Sequence, residues 1–208
     1  MDLREVELPF GKVLYEPGKA TRYVYFPNDG VVSLLVVLEG VKRASGLEVG
    51  LVGREGMIGF PLALGVAKSP VRALVQGAGS ALRVSSERLV KALEHDRPLK
   101  RQLERCAYVS MVTAMQIAAC NKAHRLEARL ARWLLMVRDR VSSDEFHLTQ
   151  GFLAQMLGVR RAGVNEAAGG LQRRSLIRYR RGNITIVRAA ALRRTACSCY
   201  QVIRDLGD

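Results

Sequence analysis

Seventeen of the chain's 33 Lys and Arg residues fall in residues 122–208, against seven Asp and Glu, and sixteen of those seventeen are arginine. That segment therefore holds ten of the fourteen net positive charges of the 208-residue chain. A guanidinium is planar and permanently charged, and its rigid fork of donors fits phosphate oxygens and the edge of guanine better than an ammonium does. Gathering one sign of charge costs self-repulsion, so a polyanionic partner explains the cluster more simply than solubility does. Other side chains able to do chemistry are sparse. Three histidines (His95, His124, His147) and four cysteines (Cys106, Cys120, Cys197, Cys199) are scattered along the chain. Cys197-x-Cys199 has no second pair or histidine near it in sequence, so buried or inert thiols are expected and a metal is not. His124 reads as a surface or cap residue. No converging acid, base or nucleophile is visible, so neither an enzyme nor a cofactor is expected.

These arginines need elements to position them. Leu148, Phe152, Leu153, Met156 and Leu157 recur at helical spacing after Thr149, whose hydroxyl can cap a helix start. Gly158 follows, where a left-handed residue costs little, and Val159 can plug a corner. From Arg160 a second periodic run places Val164, Ala167, Ala168 and Leu171 on one face, with Arg160, Arg161, Asn165, Glu166 and Gln172 on the other. Two helices joined by a short Gly-containing turn make a helix-turn-helix. Leu176–Val187 then reads as a hairpin, two β-branched runs about an Arg180-Arg181-Gly182-Asn183 turn, and so as a wing. Upstream, Leu126, Leu130, Trp133, Leu134 and Val137 form an amphipathic helix with Arg125, Arg129, Arg132 and Arg138 on its outer side, linked to the motif by Val141–His147. Downstream, Leu192, Ala196, Cys199, Ile203 and Leu206 predict one final helix, with Cys199 on its inner face and Cys197 off it.

In Leu148–Val187 the chain resembles the Crp/Fnr family of bacterial transcription regulators, through a leucine-rich first helix, a Gly-Val corner, an Arg-led recognition helix and a Leu-Ile-x-Tyr-x-Arg-x-Gly-x-Ile-x-Ile type of wing. The resemblance extends over nearly the whole length. It implies an α+β fold in three parts: an N-terminal double-stranded β-helix (jelly-roll) sensor domain over residues 1–95, a long dimerisation helix over 96–121, and a C-terminal winged helix-turn-helix over 122–208. A recognition helix presents its N-terminal residues to base edges in the major groove. By position Arg161 matches the family's base-reading arginine; Arg160 and Asn165 are further base-reading candidates, although Asn165 could equally stand on the helix surface without a contact. Thr149, Gln150, Arg173, Arg178, Arg180 and Arg181, and Arg160 as well, are expected on phosphates, which set position without specifying sequence. Ala162 stands where the family usually has an acidic residue, and Glu166 where a basic reader often sits, so an operator sequence cannot be copied from other members.

Residues 1–87 read as short strands, Tyr23–Phe26, Val31–Leu38, Leu47–Val52, Ala73–Val75 and Ala81–Val84. Turn signals separate them at Glu16-Pro17-Gly18, Pro27–Gly30, Glu39-Gly40, Ser45-Gly46, Gly53–Gly56, Gly65 and Gly77–Gly79. This pattern suits a jelly-roll. A metal-dependent enzyme on the same roll would need histidines on its strands, and all three lie outside it. The resemblance implies a cyclic-nucleotide-binding-like domain, yet in Gly56-Met57-Ile58-Gly59-Phe60-Pro61-Leu62 Phe60 stands where the ribose-binding carboxylate should be. Ser69-Pro70-Val71-Arg72 also departs from the family's phosphate-binding pair. Losing the carboxylate removes a pairing worth roughly 1.5–3 kcal/mol, so an effector, if any, is expected to be other than cyclic AMP. The expected effector pocket is apolar, near Phe60, Leu62, Leu64 and Leu74, with Arg72 either meeting an anion or solvated at an edge.

Ser85 to Arg88 caps a short helix, Leu89–Leu93, and Asp96-Arg97-Pro98 starts a long one. On the long helix Leu99, Leu103, Cys106, Ser110, Thr113, Ile117 and Cys120 form one stripe, and Ala107, Met111, Ala114 and Ala118 a second. Two stripes need two covers: the roll for one and the same helix of a second copy for the other, a monomer's core helix being the alternative. Asn121-Lys122-Ala123-His124 is the candidate hinge. The N-terminus is charged at once, and the run Cys106–Cys120 is too short and polar to span a bilayer, so a cytoplasmic location without membrane partners is expected. Expected partners are double-stranded DNA, a second copy of the chain, a small-molecule effector of unknown identity and, at a promoter, RNA polymerase. The alternative is a basic RNA-binding or nucleoid-associated protein without operator specificity. The basic half lacks aromatic-rich strand motifs, which weighs against RNA.

Overall fold

A computed structural model describes residues 2–38, 46–141 and 143–207. The turn signals at Glu39-Gly40 and Ser45 lie outside the described residues. The chain folds as two units: residues 1–37 with 49–114, and residues 38–48 with 115–208.

In the first unit β1 (Arg4–Leu8), β7 (Gly79–Ser85) and β3 (Tyr23–Pro27) form one antiparallel sheet in the order β1-β7-β3. A second sheet runs β2-β6-β4-β5, with β2 (Val13–Tyr15), β4 (Val31–Val36), β5 (Leu47–Val52) and β6 (Arg72–Gly77). Strands β1 and β2 were not expected from the sequence. Arg4–Leu8 carries three charges in five residues, and Val13–Tyr15 is too short for its period to register. Alternation along each strand sends every second side chain inward. Leu8, Tyr25 and Ala81 from one sheet thus meet Val32, Leu34, Ala73 and Val75 from the other in one buried core. The opposite face of the first sheet, with Val24 and Val84, is covered by Leu89 of α1 (Ser86–His95) and Leu103 of α2 (Arg97–Ala123). The Ser85 side chain accepts from the Arg88 N–H and caps α1, and Asp96 Oδ1 accepts from the Leu99 N–H at 2.9 Å to start α2.

In the second unit α3 (Leu126–Val141) is the central helix, buried without a break from Arg129 to Val137. Around it pack α5 (Arg161–Arg173), α6 (Ala189–Thr195) and α7 (Cys199–Asp205), while α4 (Gln150–Met156) packs on α5. The Trp133 indole donates to Glu48 Oε1 at 2.7 Å within this unit. Three sequence expectations change here. Val141–His147 is not only a linker, since Glu145–His147 forms β8, which pairs with β10 (Asn183–Ile186) beside β9 (Ile177–Arg180). The single final helix is two, broken over 196–198, where Ala196 is extended. Arg129 and Arg132, expected on the outer side of α3, are buried, at 8% and 2% exposure. A helix covered by neighbours on most of its circumference has no outer side for them. The break that follows α2 falls at His124-Arg125, at the end of the expected hinge.

Candidate nucleic-acid interface

Helices α4 and α5 form the helix-turn-helix expected from the sequence. The Thr149 hydroxyl accepts from the Phe152 N–H at 3.2 Å and begins α4. Gly158 turns the corner at φ +66°, a left-handed conformation that a β-carbon disfavours. Arg160 is the extended N-cap of α5 and Arg161 its first helical residue. At Gly170 of α5 the Glu127 carboxylate of α3 lies where a β-carbon would stand, so a side chain there would have to displace it.

At the start of α5 three candidates come together. Gln150 Oε1 accepts from Arg161 Nε at 3.3 Å, and Gln150 Nε2 donates to Asn165 Oδ1 at 3.1 Å. Arg161 and Asn165 are exposed, one helical turn apart on the same face, and Gln150 steadies both from the preceding helix. Burial raises the Tyr179 phenol's pKa, and the neighbouring Arg161 charge opposes that shift. The Tyr179 hydroxyl donates to the Leu148 carbonyl at 2.6 Å, which ties the wing to the start of the motif. Arg160 and Thr149 are exposed at the same end, and Arg181 sits at the wing's tip with φ 51°. The remaining candidates are not gathered there. Arg173 ends α5, about 18 Å along the axis from Arg161 at the usual rise per residue. Arg178 and Arg180 are exposed and alternate to the face of β9 opposite Ile177 and Tyr179. None of Arg160, Arg161, Arg173, Arg178, Arg180 and Arg181 forms an ion pair among the described residues.

The residues expected to line an effector pocket do not converge. Leu62 is buried in the core under α1, and Phe60 packs against both apolar clusters of the roll. Leu64 is 59% exposed at the end of a 3-10 turn, Phe60–Leu64. Arg72 and Leu74 alternate to the face of β6 opposite the inward Ala73 and Val75, and Arg72 Nε is 3.0 Å from Glu16 Oε2. A cleft of about 260 Å³ opens elsewhere on this unit, beside Val13, Tyr15, Lys19, Arg22 and Tyr23. On α2 the expected dimer stripe is largely covered within one chain. Leu103, Thr113 and Ile117 are buried, and Leu99, Cys106 and Ser110 half-buried. The large apolar residues of α2 left in solvent are Tyr108, Met111 and Met115, at 57%, 50% and 61% exposure.

One cluster was missed by the sequence reading. Cys120, His124, Cys197 and Cys199 bring three sulfurs and a ring nitrogen within 4.8 Å of one another. Cys197, expected off the inner face, is buried because the chain breaks between α6 and α7 and turns both thiols inward. Cys120 Sγ and Cys197 Sγ are 3.5 Å apart, and Cys199 Sγ is 3.6 Å from His124 Nδ1. The Cys120–Cys197 hydrogen bond separates their ionisations. It holds the Cys197 thiol below its ordinary value, and together with burial it pushes Cys120 up to about 12. The legible half of the signal was Cys120-x-x-x-His124, four residues apart across the end of α2. Its other half lies more than seventy residues away.

The helix-turn-helix and its wing define the class, a winged helix-turn-helix with an arginine-led second helix. Residues 128–195 match the model of the Crp-like helix-turn-helix domain. Among solved structures the chain is similar to FixK2 from Bradyrhizobium japonicum, with TM-score 0.78 and 16% identity over 95% of this chain and 99% of that one. It is similar also to a CRP/FNR-family transcriptional regulator from Thermus thermophilus, with TM-score 0.74 and 21% identity over 93% and 98%. The c-di-GMP responsive global regulator CLP of Xanthomonas campestris aligns with TM-score 0.69 and 16% identity over 88% and 93%. No curated protein matches the sequence. The chain thus carries a Crp-like helix-turn-helix domain within the fold of the Crp/Fnr family transcription regulators, a β-rich N-terminal part, a long helix and a C-terminal helix-turn-helix part. These similarities support a DNA-binding transcription regulator. No described helix is long and apolar enough to cross a membrane.

Proposed function

We propose that two copies of this chain form a homodimer that reads a palindromic operator in double-stranded DNA and regulates transcription beside RNA polymerase. The observation that carries this reading is the exposed Arg161, held by Gln150 at the first turn of α5 with Asn165 one turn further on. Arg161 takes a guanine edge with two parallel hydrogen bonds, Asn165 and Arg160 reach neighbouring bases, and Thr149, Gln150 and Arg181 meet phosphates. Arg173, Arg178 and Arg180 bind phosphates further from the recognition helix's start.

The exposed row Tyr108, Met111 and Met115 supports pairing of α2 with its copy, since an apolar helix face gains by leaving water. Pairing through α2 sets two recognition helices ~34 Å apart, one turn of duplex. An effector on the roll biases this arrangement, and it is not cyclic AMP. Phe60 fills core space where a carboxylate would be needed, and Arg72 is already paired with Glu16. A gel-shift panel of duplex DNA against single-stranded DNA and RNA, followed by footprinting on the tightest duplex, tests the proposal. The expected result is duplex preference and two symmetric protected half-sites one helical turn apart. Equal affinity for RNA, or a footprint without symmetry, overturns it in favour of an unspecific basic binder.

A further inference from the structure

We propose that Cys120, His124, Cys197 and Cys199 form a closed four-coordinate site for one divalent transition-metal ion of the zinc type, which ties the end of α2 to the turn between α6 and α7.

Geometry is the first support. Zinc–thiolate bonds of ~2.3 Å and zinc–imidazole bonds of ~2.0–2.1 Å, at tetrahedral angles, give sulfur–sulfur edges of about 3.8 Å and sulfur–nitrogen edges of about 3.6 Å. The two separations found, 3.5 Å for Cys120 to Cys197 and 3.6 Å for Cys199 to His124, lie at those edges. All four donor atoms lie within 4.8 Å of one another, close enough to share one ion. An iron–sulfur cluster would hold its ligands on separate iron atoms and so further apart. Cys120 lies in the last turn of α2 and His124 directly follows that helix, its N–H donating to the Cys120 carbonyl at 3.0 Å, while Cys197 comes from the connection after α6 and Cys199 from the first residue of α7. Three thiolates and an imidazole are soft and borderline donors, which select zinc-like ions over magnesium or calcium.

Charge is the second support and is independent of the first. Arg129 and Arg132 are buried, and among the described residues neither pairs with a carboxylate. Arg129 Nη2 donates to the Leu157 carbonyl, Arg132 Nη1 to Met136 Sδ, and both Nε atoms are buried without a partner. Buried cations demand a counter-charge. A divalent ion with three thiolates carries a net charge of −1, the sign that two buried guanidiniums of the same unit call for. Gln116 Nε2 donates to Cys199 Sγ at 3.0 Å, the type of outer hydrogen bond that fixes a thiolate ligand. Binding releases the three thiol protons to solvent, so affinity rises with pH through the thiol range. With four protein ligands the site has no open position, and its role is structural or sensory, not catalytic. Arg129 links it to the corner of the helix-turn-helix, because Leu157 is the last residue before Gly158.

The test uses the full chain purified under reducing conditions, stripped with a chelator and titrated with cobalt(II) and then zinc(II). Expected are one ion per chain and an intense thiolate-to-cobalt charge-transfer band with the visible bands of tetrahedral cobalt. Both should vanish as zinc displaces the cobalt. Cys197→Ser and Cys199→Ser should each weaken uptake at least tenfold, while Cys106→Ser, outside the cluster, should bind as the parent does. The titration of the parent chain needs no variant to fold. Weak octahedral cobalt bands, uptake indifferent to both substitutions, iron with acid-labile sulfide, or reduced protein that takes up no ion would each overturn the proposal. None of these outcomes depends on whether the chain binds DNA.

Discussion

The two units carry different balances of charge. In the roll, Arg72 pairs with Glu16, Arg88 with Asp2 and Lys91 with Glu87, and Arg83 lies over the Tyr23 ring at 4.2 Å. In the second unit Arg138 pairs with Asp144 and Arg174 with Glu127, but six exposed arginines of the helix-turn-helix and wing have no acidic partner among the described residues, and Arg129 and Arg132 are buried without one. A neutralised surface gains nothing from a polyanion, whereas unpaired guanidiniums release counterions when phosphates replace them. The contrast separates a part in which acidic residues nearly balance the basic ones, +4 over residues 1–121, from a part that carries +10 over residues 122–208 with its excess on the helix-turn-helix and wing.

The largest expected effect bears on how independent the units are. Trp133 is 1% exposed at the centre of the second unit, and Trp133→Ala should cost about 3–5 kcal/mol; Leu89→Ala, in the roll, should cost about 2–5 kcal/mol. Urea melts followed by circular dichroism would show each substitution shifting its own transition, or both shifting a shared one if the units unfold together. Next comes Arg161→Ala, which should lose ~1–3 kcal/mol of affinity for the best duplex and relax preference at one base per half-site, read by fluorescence anisotropy on single-base variants. An unchanged profile would leave Arg161 as another phosphate contact and blur the contrast.

Tyr15 offers a test confined to the roll. Its hydroxyl donates to the carbonyls of Tyr23 and Ile58, at 2.5 and 3.0 Å, and burial holds its pKa above the ordinary 10.0. A folded-state pKa raised in this way favours the neutral form. The stabilisation is therefore complete below pH 10 and is lost as pH climbs past that value. Tyr15→Phe should cost ~1–2 kcal/mol at neutral pH and flatten the alkaline decline in melting temperature. The smallest effect expected is at the wing, where Arg180→Ala should reduce the slope of log affinity against log salt by about one unit. No change in slope would assign Arg180 to a solvated face of β9.

Where local chemistry decides structure, the sequence is enough. Thr149 caps α4, Gly158 turns the corner, and Arg181-Gly182 closes the wing, because capping, positive φ and tight turns depend on residues a few positions apart. The strands from Tyr23 to Val84 follow from alternation. Strands β1 and β8 escape this reading because Arg4, Glu5 and Glu7 of β1, and Glu145 and His147 of β8, point to solvent while partner strands supply the pairing. The effector residues escape it too, since Arg72 and Leu74 depend on which face of β6 looks inward.

By itself, then, the sequence determined a helix-turn-helix with a wing, an arginine-rich C-terminal half, and a roll of short strands. Each rests on the period of a helix or strand, or on net charge, quantities that need no knowledge of distant neighbours. Only the tertiary structure decided that Arg129 and Arg132 turn inward, that Leu103, Thr113 and Ile117 are covered within one chain while Tyr108, Met111 and Met115 are not, and that Cys197 and Cys199 meet Cys120 and His124. Burial and coordination are set by what packs opposite a side chain, and here the opposite partner lies dozens of residues away.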